Sequence, residues 1–224
     1  MRTGFARLLL AGCAAMLTAA LGTASALAAQ GTNTTPAAAT WTITPGGAVT
    51  ARSGHAPITD TKFGGLMTCW SLTASGTLKS GRGVAGSGAG SISAFGFHTC
   101  TNPLADAVMS ARRLVFEMTA TGLPWHLNLS SDGSGVVTGT ISHMQIQMAG
   151  TQCTAVIDGT GAGARDGHVR FRYSDATGRL TVLTNRSGLH FFDVRGCFGL
   201  IHDGDPATIS ATFVVSPEQA ITSP

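Results

Sequence analysis

The stretch between Cys153 and Cys197 constrains the fold of this chain more than any other segment. Within it Val169, Phe171 and Tyr173 alternate with Arg170 and Arg172, the two-residue period of a strand with one buried face. Asp175-Ala-Thr-Gly178 separates that segment from the apolar run at 179–184, and a short turn ending in glycine is hairpin chemistry. Cys153-Thr-Ala-Val-Ile-Asp158 leaves one cysteine, and Leu189-His-Phe-Phe-Asp-Val-Arg-Gly-Cys197 arrives at the other. The pattern predicts an antiparallel meander whose two ends can meet.

The same signature recurs along the chain. Short apolar runs lie at 41–44, 48–51, 66–72, 113–119, 124–129 and 209–215, and a longer one spans 136–148. The lone helical challenger is Leu104-Ala-Asp-Ala-Val-Met-Ser-Ala-Arg-Arg113. About twelve short strands with turn signals between them predict an all-β fold, an antiparallel sandwich or barrel. Its two halves look alike. Cys69 and Cys153 each open a strand, Cys100 and Cys197 each close one, and a loop and a strong apolar strand follow each closing cysteine. A degenerate two-fold repeat, 41–130 and 131–217, is therefore an open alternative within one domain at 41–217.

The N-terminus reads as an export signal. Met1-Arg-Thr-Gly-Phe-Ala-Arg7 is basic, 8–21 is apolar, and small residues flank Ala26 and Ala28, which predicts a signal peptide at 1–28. Leu10-Ala-Gly-Cys13 offers lipidation at Cys13 as a minor alternative. Residues 29–40 read as a disordered leader and 218–224 as a tail. No later segment approaches the roughly 20 apolar residues of a membrane-spanning helix, so the expected location is secreted and extracellular.

Charge and cysteine usage narrow the partners. The formal net charge is +3, and loss of Arg2 and Arg7 with the signal peptide leaves +1. A nearly neutral chain lacks the electrostatic footprint of a nucleic-acid binder. Of five cysteines, four remain without Cys13. An even number in an exported chain implies two disulfides with three connectivities, of which Cys69–Cys100 with Cys153–Cys197 is the preferred one. No Cys-x-x-Cys knuckle suggests a metal.

Motifs for chemistry are sparse. The chain has no Gly-x-Ser-x-Gly elbow, His-Glu-x-x-His or Walker A sequence, and it carries no cofactor motif. Gly81-x-Gly83-x-x-Gly86 matches the dinucleotide fingerprint in spacing, but no helix-period segment follows it, so it reads as a surface loop. His202, Asp203 and Asp205 could bind a cation or serve in acid–base work; the plainer reading is a polar turn. Trp125 with His126 could form a sugar-stacking surface; the plainer reading puts the indole in the core and the imidazole in solvent.

A resemblance rests on Trp41-Thr-Ile-Thr-Pro-Gly-Gly47, Thr73-Ala-Ser-Gly-Thr-Leu-Lys-Ser-Gly81, Gly122-Leu-Pro-Trp125, Val137-Thr-Gly-Thr-Ile141 and Gly204-Asp-Pro-Ala-Thr208, with the four later cysteines. In these the chain resembles a family of secreted actinobacterial β-rich proteins of unassigned function. The resemblance implies a secreted, disulfide-bonded β-protein and carries over no activity, cofactor or site residue. The expected function is an extracellular or cell-envelope binding or structural module, with a cell-wall or extracellular glycan or a protein as partner. The alternative is a secreted hydrolase whose site gathers distant His, Asp and Ser residues.

Overall fold

The computed structural model describes residues 40–62, 64–102, 115–133 and 135–223. The expected signal peptide, Cys13, all but the last residue of the expected leader and the helical alternative at 104–113 lie outside them. The described residues form fifteen strands: β1 (Thr40–Thr44), β2 (Gly47–Ser53), β3 (Ala56–Asp60), β4 (Gly64–Leu78), β5 (Gly81–Ala85), β6 (Gly90–Thr101), β7 (Val115–Thr121), β8 (Trp125–Gly133), β9 (Val136–Gly150), β10 (Cys153–Asp158), β11 (Gly167–Ser174), β12 (Arg179–Gly196), β13 (Pro206–Ile209), β14 (Thr212–Ser216) and β15 (Ala220–Thr222). The one helical turn among them is a 3-10 turn at Cys197–Gly199.

The strands β4, β6, β9 and β12 are long because each belongs to two closed rings. The first ring runs β2, β4, β6, β8, β9, β11, β12, β14 and back to β2, every neighbouring pair antiparallel. The second runs β3, β4, β6, β7, β9, β10, β12, β13 and back to β3. Closure is the complete answer to unpaired sheet edges. Each of these twelve strands has a partner on both sides.

The pairing carries a topological two-fold. β2 with β3 corresponds to the single strand β9, and the single strand β4 corresponds to β10 with β11. β6 matches β12, and β7 with β8 match β13 with β14. Cys69 and Cys100 lie opposite each other on β4 and β6 and form a disulfide. Cys153 of β10 is bonded to Cys197, directly after β12, the corresponding place in the other half.

The alternation read from the sequence places the core. In β9 Val137, Ile141, Met144, Ile146 and Met148 are buried. The buried set changes from odd to even positions around His143, whose φ of 64° interrupts the alternation where the strand passes between rings. Gln145 belongs to neither solvent nor apolar core: it is buried and donates from Nε2 to Asp158 Oδ2 at 2.8 Å.

Three expectations are corrected. The glycine-rich stretch at 81–90 is not wholly a loop, because β5 pairs with β1 there. The stretch at 53–57, between the apolar runs at 48–51 and 66–72, contains the end of β2 and the start of β3. The tail holds β15, which pairs with β1. The small sheet β15–β1–β5 is built where β2 begins, β4 ends, β6 begins and β14 ends. It therefore covers one end of the first ring, burying Trp41, Ile43, Val84 and Ile221.

Candidate functional site

The acidic turn after β12 is a structural tie. Asp205 is buried and accepts from Lys62 Nζ, from the His202 backbone N–H at 2.7 Å, and meets His202 Nδ1 at 3.3 Å. The Lys62 hydrogen bond, helped by the His202 N–H, holds its carboxyl below the usual carboxylate range. The same bond raises the Lys62 ammonium. Asp203 Oδ1 accepts from Val194 N–H at 2.8 Å. The two carboxylates thus pin the β12–β13 loop to β12 and to the β3–β4 turn. No group of three or more His, Cys, Asp or Glu side chains is arranged to hold a metal among the described residues.

Trp125 and His126 separate, as period-two geometry requires of neighbours on a strand. Trp125 is 0% exposed, packs against Phe95 at 5.1 Å and donates from Nε1 to Thr121 O at 3.0 Å. That burial removes it from any sugar-stacking surface. His126 is exposed, with the His143 ring 4.5 Å away. On the outside of the first ring, His126 and His168 both lie opposite Ser142. Ser142 Oγ meets His143 Nδ1 at 3.2 Å and accepts from Asn128 Nδ2 at 3.1 Å. His202 sits on a different element and is not gathered with this row.

A better-formed site lies on the outer face of β2, β4 and β6. A groove of about 550 Å3 is lined there by Arg52, Thr73, Ser75, Ala94, Gly96 and His98, among others. That volume is within the range of small-molecule clefts. Register explains the grouping: Arg52 pairs with Thr73, Thr73 with Gly96, and Ser75 with Ala94. The floor is low because two of its residues are alanine and glycine. A Cβ on Gly96 would stand 2.8 Å from Thr73 Oγ1 and 3.2 Å from His98 Nε2. Glycine therefore lets the imidazole reach across and share a 3.0 Å hydrogen bond with Thr73.

Beyond His98 the face carries an exposed indole. Trp70 precedes Ser71, the residue opposite His98, and is 59% exposed. The His55 ring meets it edge-on at 4.6 Å. An exposed indole offers a flat apolar face on which a ligand ring can stack. Periodicity could not find it: Leu66, Met67, Cys69, Trp70 and Leu72 put apolar residues on both faces. The strand changes its buried set between Cys69 and Leu72, opposite Thr99 with its φ of 49°. The buried Tyr173 and the salt-bridging Lys62 likewise gave no functional signal in the sequence.

Comparison with family models, characterised proteins and solved structures finds no match to this chain.

Proposed function

We propose that the protein is an extracellular or cell-envelope binding module that takes a glycan along the outer groove of β2, β4 and β6. The observation that carries this reading is Trp70, 59% exposed and one residue before Ser71, which lies opposite the groove residue His98. An indole face stacks on the C–H face of a pyranose ring, while hydroxyl, imidazole and guanidinium groups satisfy the sugar hydroxyls. Thr73, His98 and Arg52 provide those three chemistries on one face. The export-type N-terminus supports an extracellular location, and two disulfides fit an oxidising compartment.

The test uses intrinsic fluorescence. Trp41 and Trp125 are buried and Trp70 is exposed, so a sugar in the groove changes the emission of one of the three tryptophans. Titration with fragments of bacterial cell-wall polysaccharide is expected to shift that emission. Trp70→Ala is expected to weaken binding, followed calorimetrically, by about tenfold or more, roughly 1.4 kcal/mol, with an unchanged far-UV spectrum. Equal binding by wild type, Trp70→Ala and Arg52→Ala would remove the groove from consideration.

A further inference from the structure

The first ring is incompletely filled. On one side its wall is built from short side chains, Val49 and Ala51 of β2 and Ala74 of β4. On the other it carries Leu129 of β8 and Phe171 and Tyr173 of β11. Between them lies a partly open cavity of about 80 Å3, with Gln219 and Ile221 among its lining. Gly76 cannot fill it, because a Cβ there would run into the Ser91 carbonyl of the neighbouring strand.

The buried polar groups of Tyr173 and Gln219 at its edge are already engaged. The Tyr173 hydroxyl donates to Gln219 O and accepts from Gln219 N–H, both at 2.9 Å. Gln219 Oε1 accepts from Gly46 N–H at 2.8 Å, and Nε2 donates to Pro217 O at 2.9 Å. The Thr77 and Ser91 hydroxyls, on the exposed side of the strands, share a 3.1 Å bond with each other. A buried water needs two to four polar partners, and an apolar cavity without them stays dry while accepting apolar guests. The void exceeds the roughly 30 Å3 that a water occupies in the liquid and is about half the size of a cavity that holds benzene.

We propose that the interior of the first ring is a binding site for a small apolar molecule, a hydrocarbon of about three or four carbons or its equivalent in volume. The site is separate from the outer groove: the β2–β4 wall lies between them, and Ala51 and Ala74 belong to that wall.

Xenon is the probe, applied to the full chain with both disulfides formed. Methyl resonances are followed by NMR at increasing xenon pressure, with the 129Xe spectrum recorded in parallel. The expected result is a bound xenon signal and saturable shifts at the methyls of Val49, Leu129 and Ile221. Methyls of Met148 and Leu189 should stay fixed. Ala74→Leu fills the space and is expected to lower the affinity at least tenfold. If that variant does not fold, Ala51→Val makes the smaller reduction and is expected to lower it about threefold. Shifts that grow linearly and equally over surface and interior methyls would overturn the proposal. So would an undiminished response in a folded filling variant.

Discussion

Asp158 shows how one side chain can hold a long connection in place. It is 0% exposed, a position at which an ionised carboxylate is tolerated only with full hydrogen bonding. Oδ1 accepts from the N–H groups of Gly159, Asp166 and Gly167 at 2.7, 3.2 and 3.3 Å; Oδ2 accepts from Arg165 N–H at 3.0 Å and Gln145 Nε2 at 2.8 Å. These bonds fold the β10–β11 loop back on its own start. Within it Asp166 accepts from the Thr160 hydroxyl and N–H, which keeps its carboxyl below the usual range. Asp158→Ala leaves several buried donors without a partner and is expected to cost about 3 kcal/mol. The check is the urea midpoint at constant slope; a loss under about 1 kcal/mol would mean that water replaces the carboxylate freely. In the sequence, an aspartate beside glycine is ordinary turn chemistry. Nothing local announced that five donors would converge on it.

At the level of elements, the disulfides join strands that the sheet has already brought together. Cys69 and Cys100 are cross-strand partners, and Cys153 lies opposite Gly196, the neighbour of Cys197. The loops they close span 31 and 44 residues. Loop-closure entropy gives about 4 kcal/mol for each, slightly more for the longer loop. Replacing both members of either pair by alanine is therefore expected to lower stability by roughly that amount, with the native strand content retained. Denaturant unfolding of the two double variants tests it. If the Cys69/Cys100 variant lost far more than the Cys153/Cys197 variant, native packing rather than chain entropy would be in control.

For the whole molecule, the decisive device is the cap on the first ring. Gln219 ties β15 to Tyr173 of the ring wall and to Gly46 beside β2. Ile221 N–H donates to Asp175 Oδ2 at 3.0 Å. Burial pushes the Tyr173 phenol up from its ordinary value, against a smaller opposing effect of its bond to Gln219 O. The folded state thus favours the protonated phenol over the phenolate more than the unfolded state does. The resulting stability is whole below about pH 10, the unfolded value, and is lost as pH rises from there through the raised folded value. Tyr173 is the chain's one tyrosine, so its absorbance near 295 nm reports it without interference. The ionisation is expected above pH 10, in step with loss of the near-UV dichroism. Titration at about pH 10 with the dichroism intact would show that the phenol reaches water with the cap in place.

What the sequence determined by itself was whatever depends on neighbours along the chain. The period-two runs at 136–148 and 169–173 predicted strands, and the cysteine spacing favoured the disulfides that formed. The burial of Trp125 and exposure of His126 follow from their adjacent places on one strand, and the polar turn at 202–205 was readable as a turn. Tertiary structure alone decided that four strands run through two rings, so that β9 and β4 change their buried face partway along. That choice put Trp70 in solvent, made a short edge-sheet of the glycine-rich stretch and the tail, and left a cavity beside Ala51 and Ala74. Each of these outcomes depends on partners far away in sequence, as far as the 173 residues between Gly46 and Gln219. Local periodicity shows that a strand has two faces; only the pairing of distant strands decides which face meets the core.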